Sequence, residues 1–523
     1  MKRLRAARRN ARSVFPGPAA KRNTMAGTFI GSVVAAGAVW IPLVAGLGAG
    51  VLAPPASAQV VTSPAISSGS GATIGTAPAT PFRWNQMEPF NPRGVQVPDG
   101  LLGDWLYIPP GIVFRMLPSL TPDPIIEVIL MPPLSGHPTQ SERFKMQWPL
   151  ASKKEWSEDR ALVIAFHPFN VSEQSPFVNS DLPYVCHDKG WIMLAPLGLS
   201  QAHFGNVNSQ GSLEAVLAFL EPLLNWNRKR VYAVGFSMGG GAAVSYSMRH
   251  QSPESPRIAA VINHTGTMDL VQEYDSHTAS VKAVLANDWH FNGTPLTNPF
   301  SYERVSPFLY TGNVIDDDVA SVCNVSPHTP MYIHWNEADP NTDLVMQTMD
   351  LVAYLETHGA TIQTDITNVP GKHVWSTLDV TEALDWAEGF TLANTDPTSI
   401  EMYADRKEHY LYTELIAPAS STSLRHYEVI VSSLSNQFQL ISVDNVESVG
   451  FDLKRMGLDT TTPLTANVFP EDATTDKLVL RGYPAMPSSV AGAPPVTWSW
   501  NAVRKEVQIS TQTPGGTSIT VTP

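Results

Sequence analysis

The stretch Arg230 to Ala243 reads R-V-Y-A-V-G-F-S-M-G-G-G-A-A. A short apolar run, Val231 to Val234, leads into Gly235-Phe236-Ser237-Met238-Gly239 and then into small residues suited to open a helix. The pattern is a strand, a very tight turn and a helix, with a serine hydroxyl standing clear at the apex. Glycines two positions either side let strand and helix pass close together. The helix points its first N–H groups back at the serine, where negative charge would develop. The chemistry is nucleophilic acyl transfer through Ser237. The bland reading is a Gly-rich turn with a structural serine.

Such a serine needs a base, an acid that orients it and an oxyanion hole. The base is read as His373, in Gly371-Lys372-His373-Val374-Trp375, because it falls between the last predicted strand and the last helix. His334 and His358 are read as structural. The acid is read from Asn336-Glu337-Ala338-Asp339-Pro340-Asn341-Thr342-Asp343. Asp339 is preferred because Pro340 restricts its backbone to extended or turn geometry. Glu337 and Asp343 are the alternatives, with a first-turn acid for the next helix as the structural reading. For the oxyanion, one donor is the N–H of Met238, the residue after the serine. The other is expected after the strand ending at Phe166, in His167-Pro168-Phe169. Pro168 has no N–H, which leaves Phe169. Chemistry of this kind uses neither metal nor cofactor.

The elements that must hold these residues are continuous apolar runs, Ala161–Phe166, Trp191–Ala195, Val231–Val234 and Ile258–Ile262, with Pro330–Trp335 resuming the sheet. Such runs suit parallel strands buried on both faces. Helical spacing appears over 209–224, 344–358 and 380–390. Alternating strands and helices predict a doubly wound, mostly parallel α/β sheet over 124–395. Residues 267–329 interrupt the alternation and are expected to form a cap-like insertion over the pocket. Residues 400–523 carry short strand-like runs with turn residues about every ten positions, predicting an all-β, sandwich-like C-terminal domain.

The 523 residues are 43% hydrophobic and 15% charged, with a formal charge of -13. That balance argues against nucleic-acid or anionic membrane partners. Two cysteines, Cys186 and Cys323, exclude a disulfide scaffold and a Cys-based zinc site. They could pair in an exported protein; otherwise they are buried thiols. Residues 2–22 hold eight Lys or Arg and no acids, an apolar stretch follows to about Leu52, and Ala56-Ser57-Ala58 is a cleavage-type site. A signal peptide over 1–58 is expected, giving a secreted or periplasmic protein, with an uncleaved membrane anchor as the alternative. Residues 59–123 are expected to be a disordered leader and an irregular N-terminal segment with edge strands.

The elbow Arg230–Gly241, the Gly371-x-His373-x-Trp375 motif and the Glu337-Ala338-Asp339-Pro340 turn together resemble secreted α/β-hydrolase esterases of the polyhydroxybutyrate depolymerase and feruloyl or acetylxylan esterase type. The resemblance covers about residues 125–392. It implies an α/β-hydrolase fold, Ser237 as nucleophile, Asp339 as acid, His373 as base, and hydrolysis of an ester substrate, whether polyester, acylated polysaccharide or lipid-like, without metal or cofactor. The chain departs from the pattern at His167-Pro168-Phe169 and at His334-Trp335-Asn336, where many relatives have His-Gly. A serine peptidase of the same fold and a catalytically inactive binding protein are the competing readings.

Overall fold

The computed structural model describes residues 106–108, 111–149 and 160–523, apart from 118, 120, 122, 313, 419, 421, 471–476 and 512–515. The expected signal peptide (1–58), the leader and the irregular segment as far as 105 lie outside the described residues. No helix among the described residues is long and apolar enough to cross a membrane.

The strands of the larger sheet are β1 (Leu106–Ile108), β2 (Ile112–Leu117), β3 (Ile125–Leu130), β4 (Glu142–Gln147), β5 (Leu162–Phe166), β6 (Ile192–Pro196), β7 (Val231–Phe236) and β8 (Ala260–His264). After a two-stranded hairpin, β9 (Tyr310–Thr311) and β10 (Val314–Ile315), come β11 (Met331–Asn336) and β12 (Ile362–Thr367). Their order in the ten-stranded sheet is β1-β2-β3-β4-β6-β5-β7-β8-β11-β12. Pairing is antiparallel from β1 to β6 and parallel from β6 to β12. The parallel centre is where the apolar runs lie: every residue of β5, β6, β7, β8 and β11 is buried. Within the N-terminal segment, where edge strands are expected, β2 is a regular strand that pairs with β3 at six positions. Phe114 and Met116 on one face enter the core, and Val113 on the other is buried as well.

Helices cover both faces. Between β5 and β6 lie α1 (Ser175–Asn179) and α2 (Leu182–Lys189), and α3 (Val207–Leu220) crosses to β7. The helix after β7 is α4 (Met238–Arg249). Residues 267–329 hold α5 (Leu270–Ser276), α6 (Ala279–Leu285), α7 (Pro299–Glu303) and the β9–β10 hairpin. Then come α8 (Thr342–Thr357) and α9 (Val380–Glu388). Leu162 and Ile164 of β5 belong to the core cluster that includes residues of α3, α4 and α8, whereas Val163 and Ala165 belong to the one that includes residues of α2 and α9. One strand thus feeds two cores, which is why its sequence reads as an unbroken apolar run.

From Ser399–Ala404 to Thr517–Thr522, two six-stranded, mostly antiparallel sheets enclose one shared apolar core. The molecule is therefore an α/β-hydrolase-type doubly wound sheet followed by an all-β sandwich. Cys186 and Cys323 are separate, buried thiols and do not pair. They lie on different elements, α2 and a short 3₁₀ turn, and burial pushes both thiols upward in pKa.

Candidate active site

Ser237 follows β7 directly and caps α4 with φ 57° and ψ -125°. A serine in this left-handed region is strained, so the surroundings must enforce it. The two elbow glycines explain how. A Cβ on Gly235 would lie 1.9 Å from the carbonyl oxygen of Gly239, and one on Gly239 would lie 2.2 Å from that of Phe166. No side chain fits at either place. The Ser237 N–H donates to the His264 carbonyl at 2.9 Å, and the Ser237 carbonyl accepts from Gly240 N–H at 2.9 Å. The first N–H groups of α4, Met238 among them, have no intrahelical acceptor.

Asp339 sits in the turn after β11 and is 3% exposed. Its Oδ2 lies 2.7 Å from His373 Nδ1, and its Oδ1 accepts from Asn341 N–H at 2.8 Å. Both oxygens thus have partners, as a buried carboxylate requires. The alternatives do not reach the histidine. Glu337 is exposed and accepts from Asn368 at 3.3 Å, and Asp343 is an exposed first-turn acid of α8. The His373 ring lies 4.5 Å, centroid to centroid, from Phe236, the residue before Ser237. Trp375, 2% exposed, anchors the same loop in the core 5.5 Å from Phe236. His358 ends α8, with Nδ1 2.7 Å from the Tyr354 carbonyl.

Asn336, the last residue of β11, joins the two loops. Its Nδ2 donates to the carbonyls of Val369 and Lys372, each at 2.8 Å. Its Oδ1 accepts from Val369 N–H at 2.7 Å. The Gly371 N–H adds a bond to the Ala338 carbonyl at 3.1 Å. Sequence reasoning missed this staple. The one available signal was a polar side chain at the end of an otherwise apolar strand.

The loop expected to complete the oxyanion hole is braced by His167, which is fully buried. Its Nδ1 lies 2.8 Å from the Pro168 carbonyl and its Nε2 3.0 Å from the Leu197 carbonyl. Burial lowers its pKa, against the raising effect of those carbonyls. The facing loop is held by Glu142, also fully buried, which accepts from the N–H groups of Leu197, Gly198 and Leu199 and from Ser212 Oγ. Burial pushes Glu142 up to about 7, although these donors pull it down.

Met238 belongs to an apolar cluster with Phe204, Leu270, Phe291 and Tyr302, against which half-buried Phe169 packs. The Phe169 ring lies 5.4 Å from Phe204 and 5.5 Å from His277. Residues 267–329 therefore contribute an aromatic wall next to both expected oxyanion donors. Among the described residues, one group of three metal-ligating side chains comes together, Glu401, His426 and Glu428. It lies on the β-sandwich, where His426 Nε2 is 3.0 Å from Glu401 Oε1.

No family model and no curated protein matches the chain. Among solved structures it is similar to an S-formylglutathione hydrolase from Agrobacterium tumefaciens, at 9% identity and TM-score 0.39, covering 51% of this chain and 95% of that one. It is similar to the fluorophosphonate-binding serine hydrolase F of Staphylococcus aureus, at 11% identity and TM-score 0.39, covering 51% and 98%. A ferulic acid esterase matches at 14% identity and TM-score 0.38, covering 51% and 97%.

Proposed function

We propose that this protein is an exported serine hydrolase that cleaves carboxylic esters through an acyl-enzyme. Ser237 Oγ adds to the ester carbonyl carbon while its proton passes to His373 Nε2. Asp339 holds the imidazole by its Nδ1–H and offsets the charge of the imidazolium. The carbonyl oxygen, now anionic, takes the N–H groups of Met238 and Phe169. Collapse breaks the bond to the alcohol, which leaves with the proton from His373. Water, deprotonated by the same imidazole, then adds to the acyl carbon. The second collapse releases the acid and returns the Ser237 hydroxyl.

The observation that supports this reading best is the 2.7 Å contact of His373 Nδ1 with buried Asp339, on a ring that packs against the residue before Ser237. The strained backbone of Ser237 is the second. The rings of Phe169 and Phe204, with His277, Phe291 and Tyr302 of the insertion, support an apolar or aromatic acyl group, as in a feruloyl-type ester, over a short alkyl one. Export rests on the basic, apolar and Ala-x-Ala succession within residues 1–58.

The test is turnover of p-nitrophenyl esters from acetyl to octanoyl and of an aryl-acyl ester, by residues 59–523 and by the Ser237→Ala variant. The expected result is wild-type hydrolysis that falls at least about 10³-fold in the variant, with the bulkier acyl groups preferred. Equal rates in the two proteins would overturn the reading.

A further inference from the structure

A pair of buried histidines lies directly behind the candidate base. His264 ends β8 and His334 lies near the end of β11, in register with it. Both are essentially inaccessible, 1% and 0% exposed. Their Nδ1 atoms are 2.8 Å apart. His264 Nε2 lies 3.1 Å from the carbonyl of Val374, the residue after His373. His334 Nε2 lies 3.2 Å from Thr367 Oγ1 on β12.

With both rings neutral, the shortest of these contacts share one placement of protons; Thr265 Oγ1, 3.4 Å from His264 Nδ1, and Thr377 Oγ1, 3.3 Å from His264 Nε2, are hydroxyls that can donate or accept beside it. A carbonyl only accepts, so His264 Nε2 carries hydrogen. In the neutral ring its Nδ1 then offers a lone pair. Two Nδ1 atoms at 2.8 Å need one hydrogen between them, so His334 Nδ1 donates. His334 Nε2 in turn accepts from the Thr367 hydroxyl. The direction runs Thr367 to His334 to His264 to Val374. Protonation of His264 would set two N–H groups against each other. Burial keeps both rings neutral, His334 near 4 and His264 well below its ordinary range. The ionisable groups facing the pair are Asp365, whose Oδ2 is 3.8 Å from His334 Nε2, and, at longer range, Asp339 and His373.

We infer that His264, oriented by His334, is a positioning residue that sets the His373 loop against Ser237. Three contacts argue for it. The main-chain carbonyl of His264 accepts the Ser237 N–H. Its ring stacks on Phe236 at 4.4 Å, and Phe236 also packs on His373. Its Nε2–H holds the Val374 carbonyl, which also accepts from Thr377 Oγ1 at 3.0 Å. The Val374 side chain is 39% exposed, so at this residue the loop is held through its carbonyl, beside the buried Trp375 ring. One residue thereby touches both halves of the site. The inference rests on the esterase reading for its kinetic meaning only.

The experiment compares His264→Phe, which keeps the stacking ring and loses both nitrogens, with His264→Gln, which keeps a donor for Val374. A loosened loop costs on the order of 10²-fold in rate. The expected result is a kcat fall of that order in His264→Phe with KM within about threefold, and recovery of most of it in His264→Gln. Proton NMR supplies a readout that does not need turnover. The downfield Nδ1–H signal of His373, sharp in the wild type, should broaden or shift in His264→Phe. If wild type turns over no ester, the esterase reading fails, and the His373 signal still decides the positioning role. If His264→Phe does not fold, His334→Leu is read the same way. Wild-type kcat together with an unchanged His373 signal in the folded variant would overturn the inference.

Discussion

Asp405, from the β-sandwich, lies 2.6 Å from Arg249 at the last turn of α4, the helix that begins at Ser237. The same carboxylate oxygen is 2.7 Å from Arg304, in the insertion that forms the aromatic wall. One buried acid therefore ties together the sandwich, the elbow helix and the insertion. Burial would raise its pKa, but the guanidiniums of Arg249 and Arg304 outweigh that and hold it well below the usual carboxylate range. A second bridge runs through Asn324, which donates to the carbonyls of Met248 and Tyr403. On this geometry the sandwich is a structural partner of the α/β half.

Removing Asp405 leaves Arg249 buried without its counter-charge. Breaking a buried pair in this way costs on the order of 3–5 kcal/mol. Asp405→Ala is expected to lower stability by that amount in chemical denaturation, and a chain ending at residue 395 is expected to be insoluble. A stable, soluble truncation with the wild-type melting temperature would show the sandwich to be an appendage.

Asn336→Ala is expected to act on rate more than on substrate affinity. It removes the bonds to Val369 and Lys372 that fix the His373 loop against the Asp339 turn. Stability should fall by about 1–3 kcal/mol from the unpaired backbone groups, and kcat by on the order of 10²-fold from misplacement. Steady-state kinetics on one ester checks this. A variant that loses affinity alone would contradict it.

Glu142 gives a pH dependence of definite sign. Its folded pKa, about 7, is raised from an ordinary 4.5, chiefly by burial. Between those values the folded state binds more protons than the unfolded state, so its contribution is greatest below pH 4.5 and is lost as pH rises through 7. The stability of wild type relative to Glu142→Gln should therefore fall from pH 5 to pH 8, as measured by urea denaturation at each pH. A difference that stays flat over that range would mean that the four donors hold Glu142 ionised throughout.

Much of the α/β sheet was legible because its strands are buried on both faces. Leu162 to Phe166 or Val231 to Phe236 can hardly be anything else. The sandwich was half legible. Lys477–Arg481 and Glu506–Ser510 stand out as short strand-like runs, but Val446–Asp452 contains Glu447, Ser448 and Gly450, and Leu464–Pro470 contains Asn467 and ends in proline. Their strand character comes from pairing with β-neighbours far along the chain. The same holds at the site. Ser237, Asp339 and His373 carry local signatures of turn and spacing. His264 has none, because its partner Val374 is 110 residues away. Asn336 likewise becomes meaningful only when Val369 and Lys372 arrive beside it.

The proposed reaction stands on Ser237 as the nucleophile, activated by His373 and Asp339. Its most direct test is labelling of residues 59–523 by a fluorophosphonate, followed by mass mapping of the modified peptide. One stoichiometric adduct on Ser237 is expected, slowed at least about 10³-fold in His373→Ala. An adduct on another residue, or a folded protein that takes no label, would contradict it.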